Sequence, residues 1–141
     1  MHVEHNITIA AAPARIFRIW QDVANWHTWD PDTRSASLDG PFAVGSRGRL
    51  TPTKGASVAM VLTSVVPDRS FTVESRIPLF HMVFEHALQP GGSTTTEVLH
   101  RVRFFGLLAP LIGRLIARQL QVGLPRTLAN LKRLAEENAG R

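Results

Sequence analysis

Two histidines on the apolar face of a β-hairpin are the residues best placed to do chemistry. In residues 80–88 one face carries Phe80, Met82, Phe84, His86 and Leu88, and in residues 95–105 one face carries Val98, His100, Val102 and Phe104. Opposite residues on antiparallel strands point the same way, so only even registers keep both apolar faces together. One such register sets Glu85 against Arg101 on the outside and His86 against His100 on the inside. Slipping it by one pair leaves the imidazoles diagonal neighbours, still within reach of a shared ligand. Imidazoles titrate near working pH and suit general acid and base roles. They equally well hold a ligand carbonyl or hydroxyl by hydrogen bonds, or serve as core histidines bonded to a neighbour. All three readings stay open. Two histidines are too few for a metal site, and no further His or carboxylate stands beside them at ligand spacing, so no metal is expected.

Trp20, Trp26 and Trp29 form the second group. They either make an aromatic rim at a cavity mouth, stacking on a ligand and donating from their N–H groups, or pack two small helices onto the end of a sheet. Asp30, before Pro31, reads as a hydrogen-bonding residue at a helix end or as a polar group at the cavity entrance, with the turn-initiating role favoured. Gly91-Gly92 is a hairpin turn, since no helix follows it to make a phosphate loop. There is no Gly-x-Ser-x-Gly, so a hydrolase nucleophile elbow is absent. The chain has no cysteine, which excludes disulfides, thiolate chemistry and cysteine-ligated zinc.

These residues need elements to position them. Residues 3–10 alternate with period two and read as a strand. Ala12-Pro13 opens a helix over residues 14–22, with Ile16, Phe17, Ile19 and Trp20 as its buried stripe. Residues 22–29 read as a second short helix, with Trp26 and Trp29 on one side. Strands follow at 35–39, 47–52, 58–66, 71–77, 80–88 and 95–105, at spacings that argue for an antiparallel sheet. The last element, residues 107–138, is a long helix. Leu108, Leu111, Ile112, Leu115 and Ile116 start its apolar stripe, and Leu124, Leu128, Leu131 and Ala135 continue it. Pro125 should kink it, or divide it into two helices meeting at Gly123.

A sheet that must cover one face has one obvious partner here, the last helix. The space between them is expected to hold a pocket lined by Met82, Phe84, Val98, Val102 and Phe104 below and by Leu111, Leu115, Leu124 and Leu128 above. A chain of 141 residues suits one domain, here residues 1–141. The N-terminal residues are too polar for a signal peptide. The longest uncharged run near the C-terminal helix is far short of the ~20 residues needed to span a bilayer, so a soluble, cytoplasmic protein is expected. The net charge of +5 comes from basic residues scattered singly, without a nucleic-acid-binding motif, so no nucleic-acid partner is expected.

The chain resembles the SRPBCC superfamily (START-like, Bet v 1-like helix-grip proteins), and within it the bacterial polyketide cyclase/dehydrase group. The resemblance rests on residues 7–9 followed by Ala12-Pro13-Ala14-Arg15-Ile16-Phe17, on Trp26-His27-Thr28-Trp29-Asp30-Pro31, on Gly40-Pro41-Phe42 with Gly45, and on residues 131–136. It implies an α+β helix-grip fold: a curved antiparallel sheet wrapped around a long C-terminal helix, with two short helices after the first strand closing one end of an elongated cavity. The superfamily hosts carriers, receptors and enzymes on one scaffold. Its aromatase/cyclase members look to use tyrosine, arginine and tryptophan in the cavity, and this chain has no tyrosine. The reading that follows is a domain that binds a small, largely hydrophobic, lipid- or polyketide-like molecule without a cofactor, as a monomer or homodimer, with no stable membrane insertion. The alternative is a cyclase or dehydratase in which His86 or His100 moves a proton.

Overall fold

A computed structural model describes residues 1–137. Seven strands form one antiparallel sheet: β1 (His2–Ile9), β2 (Thr33–Leu38), β3 (Arg47–Pro52), β4 (Val58–Val66), β5 (Ser70–Ile77), β6 (Phe80–Pro90) and β7 (Thr96–Phe105). Their order is β1-β7-β6-β5-β4-β3-β2. The chain thus starts at one edge, crosses to the other through two short helical segments, and meanders back until β7 pairs with β1. Irregular pairing between Thr33 and Ser35 and between Leu62 and Ser64 marks two places where the sheet bends. The sheet curls around the C-terminal helix, as the sequence led us to expect.

The crossing segments are α1 (Pro13–Gln21) and a 3₁₀ helix over Val23–Thr28. Proline at the first turn costs α1 no hydrogen bond, and Ile16, Phe17 and Trp20 form its buried stripe. Trp26 donates from Nε1 to the Trp20 carbonyl at 2.8 Å, which ties the 3₁₀ segment back onto the end of α1.

The C-terminal element is not one α-helix over residues 107–138, and it is not divided at Gly123. Ala109–Gly113 is a π-helical stretch, and α2 then runs over Arg114–Glu137; Asn138 lies outside the described residues. Pro125 sits inside α2 without dividing it. The proline leaves the Gln121 carbonyl without its usual amide partner, and the surrounding contacts hold the helix continuous. Gly123 sets the approach of α2 to the sheet edge, because a Cβ there would meet the Asp32 carboxylate. Three further bonds latch the helix. Lys132 Nζ donates to the Thr8 carbonyl (2.9 Å), the Ala10 amide to Glu136 (2.7 Å), and Asn130 to the Trp29 carbonyl (3.2 Å).

The buried side chains fall into two clusters. One joins Ile9, Ile16, Phe17, Trp20, Phe71 and Val98 to Leu128, Leu131 and Ala135 of α2. The other joins Val3, Phe80, Val102 and Phe104 to Ala109 and Leu124. The helix therefore grips the sheet at two places.

The turn from β7 into the helix depends on Gly106. Its φ is +106°, and a Cβ there would press into the Leu79 carbonyl, which already accepts from the Leu108 amide at 3.0 Å. Gly106→Ala should destabilise the protein by about 1–3 kcal/mol, read as a lowered denaturant midpoint with an unchanged slope.

Candidate functional site

The hairpin register is the even one: Glu85 pairs with Arg101, and His86 with His100. Outside, Glu85 accepts from Arg101 and Arg103, both at 3.2 Å. Inside, the imidazole centroids of His86 and His100 lie 4.5 Å apart, near perpendicular. The Phe71 ring stacks on His86 at 3.9 Å, from the strand on its other side. Trp20 stands 5.7 Å from His86 and 5.8 Å from His100, and Trp29 lies 6.2 Å from His100. Two imidazoles are thus enclosed by aromatic rings.

Enclosure governs their protonation. His86 is held down to about 3, chiefly because burial penalises the cation; its backbone partners, including the Phe71 carbonyl 3.4 Å from Nδ1, offset part of this. His100 is pushed well below its ordinary 6.5 by burial and by the neighbouring His86. Both rings are neutral at pH 7. His100 Nε2 has no hydrogen-bond partner among the described residues, and neither do the buried Nε1 atoms of Trp20 and Trp29. Buried polar atoms without partners are uncommon, and each invites an explanation.

Between the two buried clusters lies a cavity of about 520 Å³. Met82, Phe84, His86, His100 and Val102 line it from β6 and β7, Trp26 and Trp29 from the helical end, and Leu124 from α2. The remaining expected residues stand elsewhere. Trp20, Val98 and Leu128 are fully buried in the first cluster, off the cavity wall, and Phe104 packs in the second cluster against Phe80. Leu111 and Leu115 are 73% and 63% exposed and do not cover the cavity. Ile112, Ile116 and Leu120 hold that place. The helix has two adjacent apolar columns here and only one can face the sheet. Carrying the Leu131, Leu128, Leu124 phase back toward the N-terminus selects Leu120, Ile116 and Ile112. The three tryptophans, read as either a rim or the packing of two small helices onto the sheet end, are all buried, and Trp26 and Trp29 also line the cavity.

Several lining residues were not singled out from the sequence. Met60, Val73 and Ser75 come from β4 and β5 and Thr127 from α2, and Asp30, read chiefly as a turn residue, joins them at the sheet end. Asp30 accepts from the Asp32 amide (3.0 Å), Thr33 Oγ1 (2.9 Å) and Thr127 Oγ1 (3.2 Å). Its carboxyl is nevertheless shifted upward, because burial outweighs those bonds. The turn role read from Asp-Pro and a place on the cavity wall therefore coincide in one residue. No group of three or more His, Cys, Asp or Glu converges among the described residues.

Histidines kept neutral by desolvation make stability depend on pH. Below 6.5 the unfolded chain takes up protons that native His86 refuses until about pH 3, so stability falls as pH drops through this window. The slope is about 1.4 kcal/mol per pH unit for each such histidine. Asp30, shifted up, acts with the opposite sign in the window that begins at 3.8. Unfolding free energy should fall by several kcal/mol between pH 7 and 5, and His86→Phe or His100→Phe should roughly halve that slope in denaturant titrations.

No curated protein matches the chain. Solved structures resemble it at the level of fold. The START superfamily protein from Mycobacterium smegmatis has 13% identity and a TM-score of 0.75, over 96% of this chain and 97% of that one. Truncated norcoclaurine synthase from Thalictrum flavum has 12% identity and a TM-score of 0.74, over 98% and 94%. The di-domain ARO/CYC BexL from the BE-7585A biosynthetic pathway has 20% identity and a TM-score of 0.73, over 94% of this chain and 45% of that one. The family model described as polyketide cyclase / dehydrase and lipid transport matches residues 1–136, and the chain belongs to that family.

Proposed function

We propose that this protein binds a small, largely hydrophobic molecule, lipid- or polyketide-like, between its sheet and α2, and holds one of its oxygens near Trp29 and His100. One observation carries the reading. An apolar cavity of about 520 Å³, within the range of small-molecule sites, is lined by two side chains whose buried polar atoms, Trp29 Nε1 and His100 Nε2, have no partner among the described residues. The indole N–H donates, and the neutral imidazole donates or accepts according to its tautomer. A carbonyl or hydroxyl group of a ligand would satisfy them after small side-chain adjustments, whereas a pure hydrocarbon would leave them unpaired. The likeness in fold to a START superfamily protein supports a binding role.

A second reading, a cyclase or dehydratase, is favoured by the adjacency of His86 and His100 and by the fold shared with norcoclaurine synthase and BexL. Its difficulty is basicity. An imidazole held near 3 is a weak proton acceptor at neutral pH, so this reading requires the substrate to raise that value on binding. Loss of a measured turnover in His86→Ala and His100→Ala, with substrate affinity retained, would establish it.

Binding has its own tests. An apolar fluorescent probe should bind folded protein about 1:1, and Val102→Trp should weaken it at least about tenfold while keeping the fold, at a cost of about 1–3 kcal/mol. Unchanged affinity in that variant would remove the cavity as the site. The polar anchor is tested by a matched pair, a long-chain ketone and its hydrocarbon. Trp29→Phe should weaken the ketone by about five- to tenfold and leave the hydrocarbon unchanged.

A further inference from the structure

The outward face of the C-terminal helix has unpartnered apolar surface. Leu107 is 81% exposed, Leu111 73%, Leu115 63% and Val122 58%. Leu115 and Val122, seven residues apart, share one side of α2, and Leu111 extends that side by one turn toward the N-terminus. Leu79 adjoins this strip, because its carbonyl accepts from the Leu108 amide at 3.0 Å. Leu79 is 57% exposed and has a φ of +66°, a conformation that glycine or asparagine adopts at less cost. A large exposed leucine there gains nothing from this chain's own core.

The charged residues of the segment that carries the strip have one sign, although the exposed Asp32 carboxylate stands beside Gly123 on the side toward the sheet edge. From Val98 to Ala135 the sequence has seven Lys and Arg residues and no Asp or Glu. Arg101, Arg103 and Lys132 pair with Glu4, Glu85 or Glu136. Arg114, Arg118 and Arg126, all exposed, form no salt bridge among the described residues. Leucines flanked by unneutralised arginines match a surface that is anionic outside and apolar just beneath, as the interface of a bilayer containing acidic lipids is. The strip also reaches the cavity, since the exposed residues Val122 and Ile77 both line it.

We propose that this face docks reversibly on anionic membrane surfaces. Leu79, Leu107, Leu111 and Leu115 enter the acyl boundary, Arg114 and Arg118 meet the headgroup phosphates, and Val122, on the cavity's edge, lies against the lipid. Docking is peripheral, because no helix among the described residues is long and apolar enough to cross a membrane. An apolar molecule passing between bilayer and cavity would then avoid water. The docking itself does not depend on what the cavity holds.

The test is sedimentation with vesicles of phosphatidylcholine, with and without phosphatidylglycerol, using the full chain. Wild-type protein should partition onto the phosphatidylglycerol vesicles about tenfold more strongly than onto phosphatidylcholine alone, and raising salt should remove the difference. Arg114→Glu with Arg118→Glu should reduce binding to the phosphatidylcholine level, and Leu111→Glu with Leu115→Glu should abolish it on both. These positions are exposed, so both variants should keep native thermal melts and native affinity for a cavity probe. That probe separates a failure of docking from a failure of the cavity reading. Vesicle binding unaffected by the leucine changes would overturn the proposal, as would none above background. So would a concentration-dependent dimer that those changes break, which would make the face a subunit contact.

Discussion

One helix is narrower than the sheet it must cover. Seven strands at about 4.8 Å spacing span roughly 29 Å if flat, whereas a helix with its side chains is about 10–12 Å across. Burying the inner face therefore requires the sheet to curl, and the irregular pairings in β2 and β4 are places where it does. Curling still leaves a remainder. The helix makes close contact at two clusters, one around Trp20 and Leu131 and one around Phe104 and Leu124, and the cavity is the volume between them.

That remainder sets the chemistry of the histidines. The β6–β7 register places two imidazoles side by side, and Trp20 of α1, Trp29 just after the 3₁₀ helix and Phe71 of β5 close over them. In water such a pair would titrate near neutrality. Here desolvation and mutual repulsion act in the same direction, and both rings stay neutral. Neutral imidazoles are versatile hydrogen-bonding groups and poor bases, which favours recognition over proton transfer. The indole N–H of Trp29 adds a donor at the same end, and Asp30, bonded to Thr33 and Thr127, fixes where the sheet end meets α2.

The same helix also meets solvent with an apolar strip, so its sequence carries two apolar faces. Ile112, Ile116, Leu120 and Leu124 close the cavity, while Leu111 and Leu115 lie exposed on the outer side and Val122, also exposed, reaches the cavity edge. A helix needed only as a lid would carry polar residues at the latter positions. Both columns meet the cavity near Val122, so the proposed ligand exchange and the proposed surface docking would share one boundary.

Local pattern by itself determined much of this protein. Period-two alternation located the strands, proline and glycine located the breaks, and the requirement that two apolar faces coincide restricted the β6–β7 hairpin to even registers, one of which the structure adopts. What tertiary structure decided was anything requiring a choice between equivalent surfaces. The helix offers two apolar columns of similar hydropathy, and only docking against the sheet sent Ile112 and Ile116 inward and Leu111 and Leu115 outward. Trp20 and Trp29 sit nine residues apart and are packed in the same core cluster, yet only Trp29 also lines the cavity. Asp30 read as a turn residue, and only the approach of α2, with Thr127 against its carboxylate, made it part of the wall. Periodicity fixes which residues share a face. Which face is buried, and where the packing leaves room, depends on the relative width and curvature of elements that meet only in three dimensions.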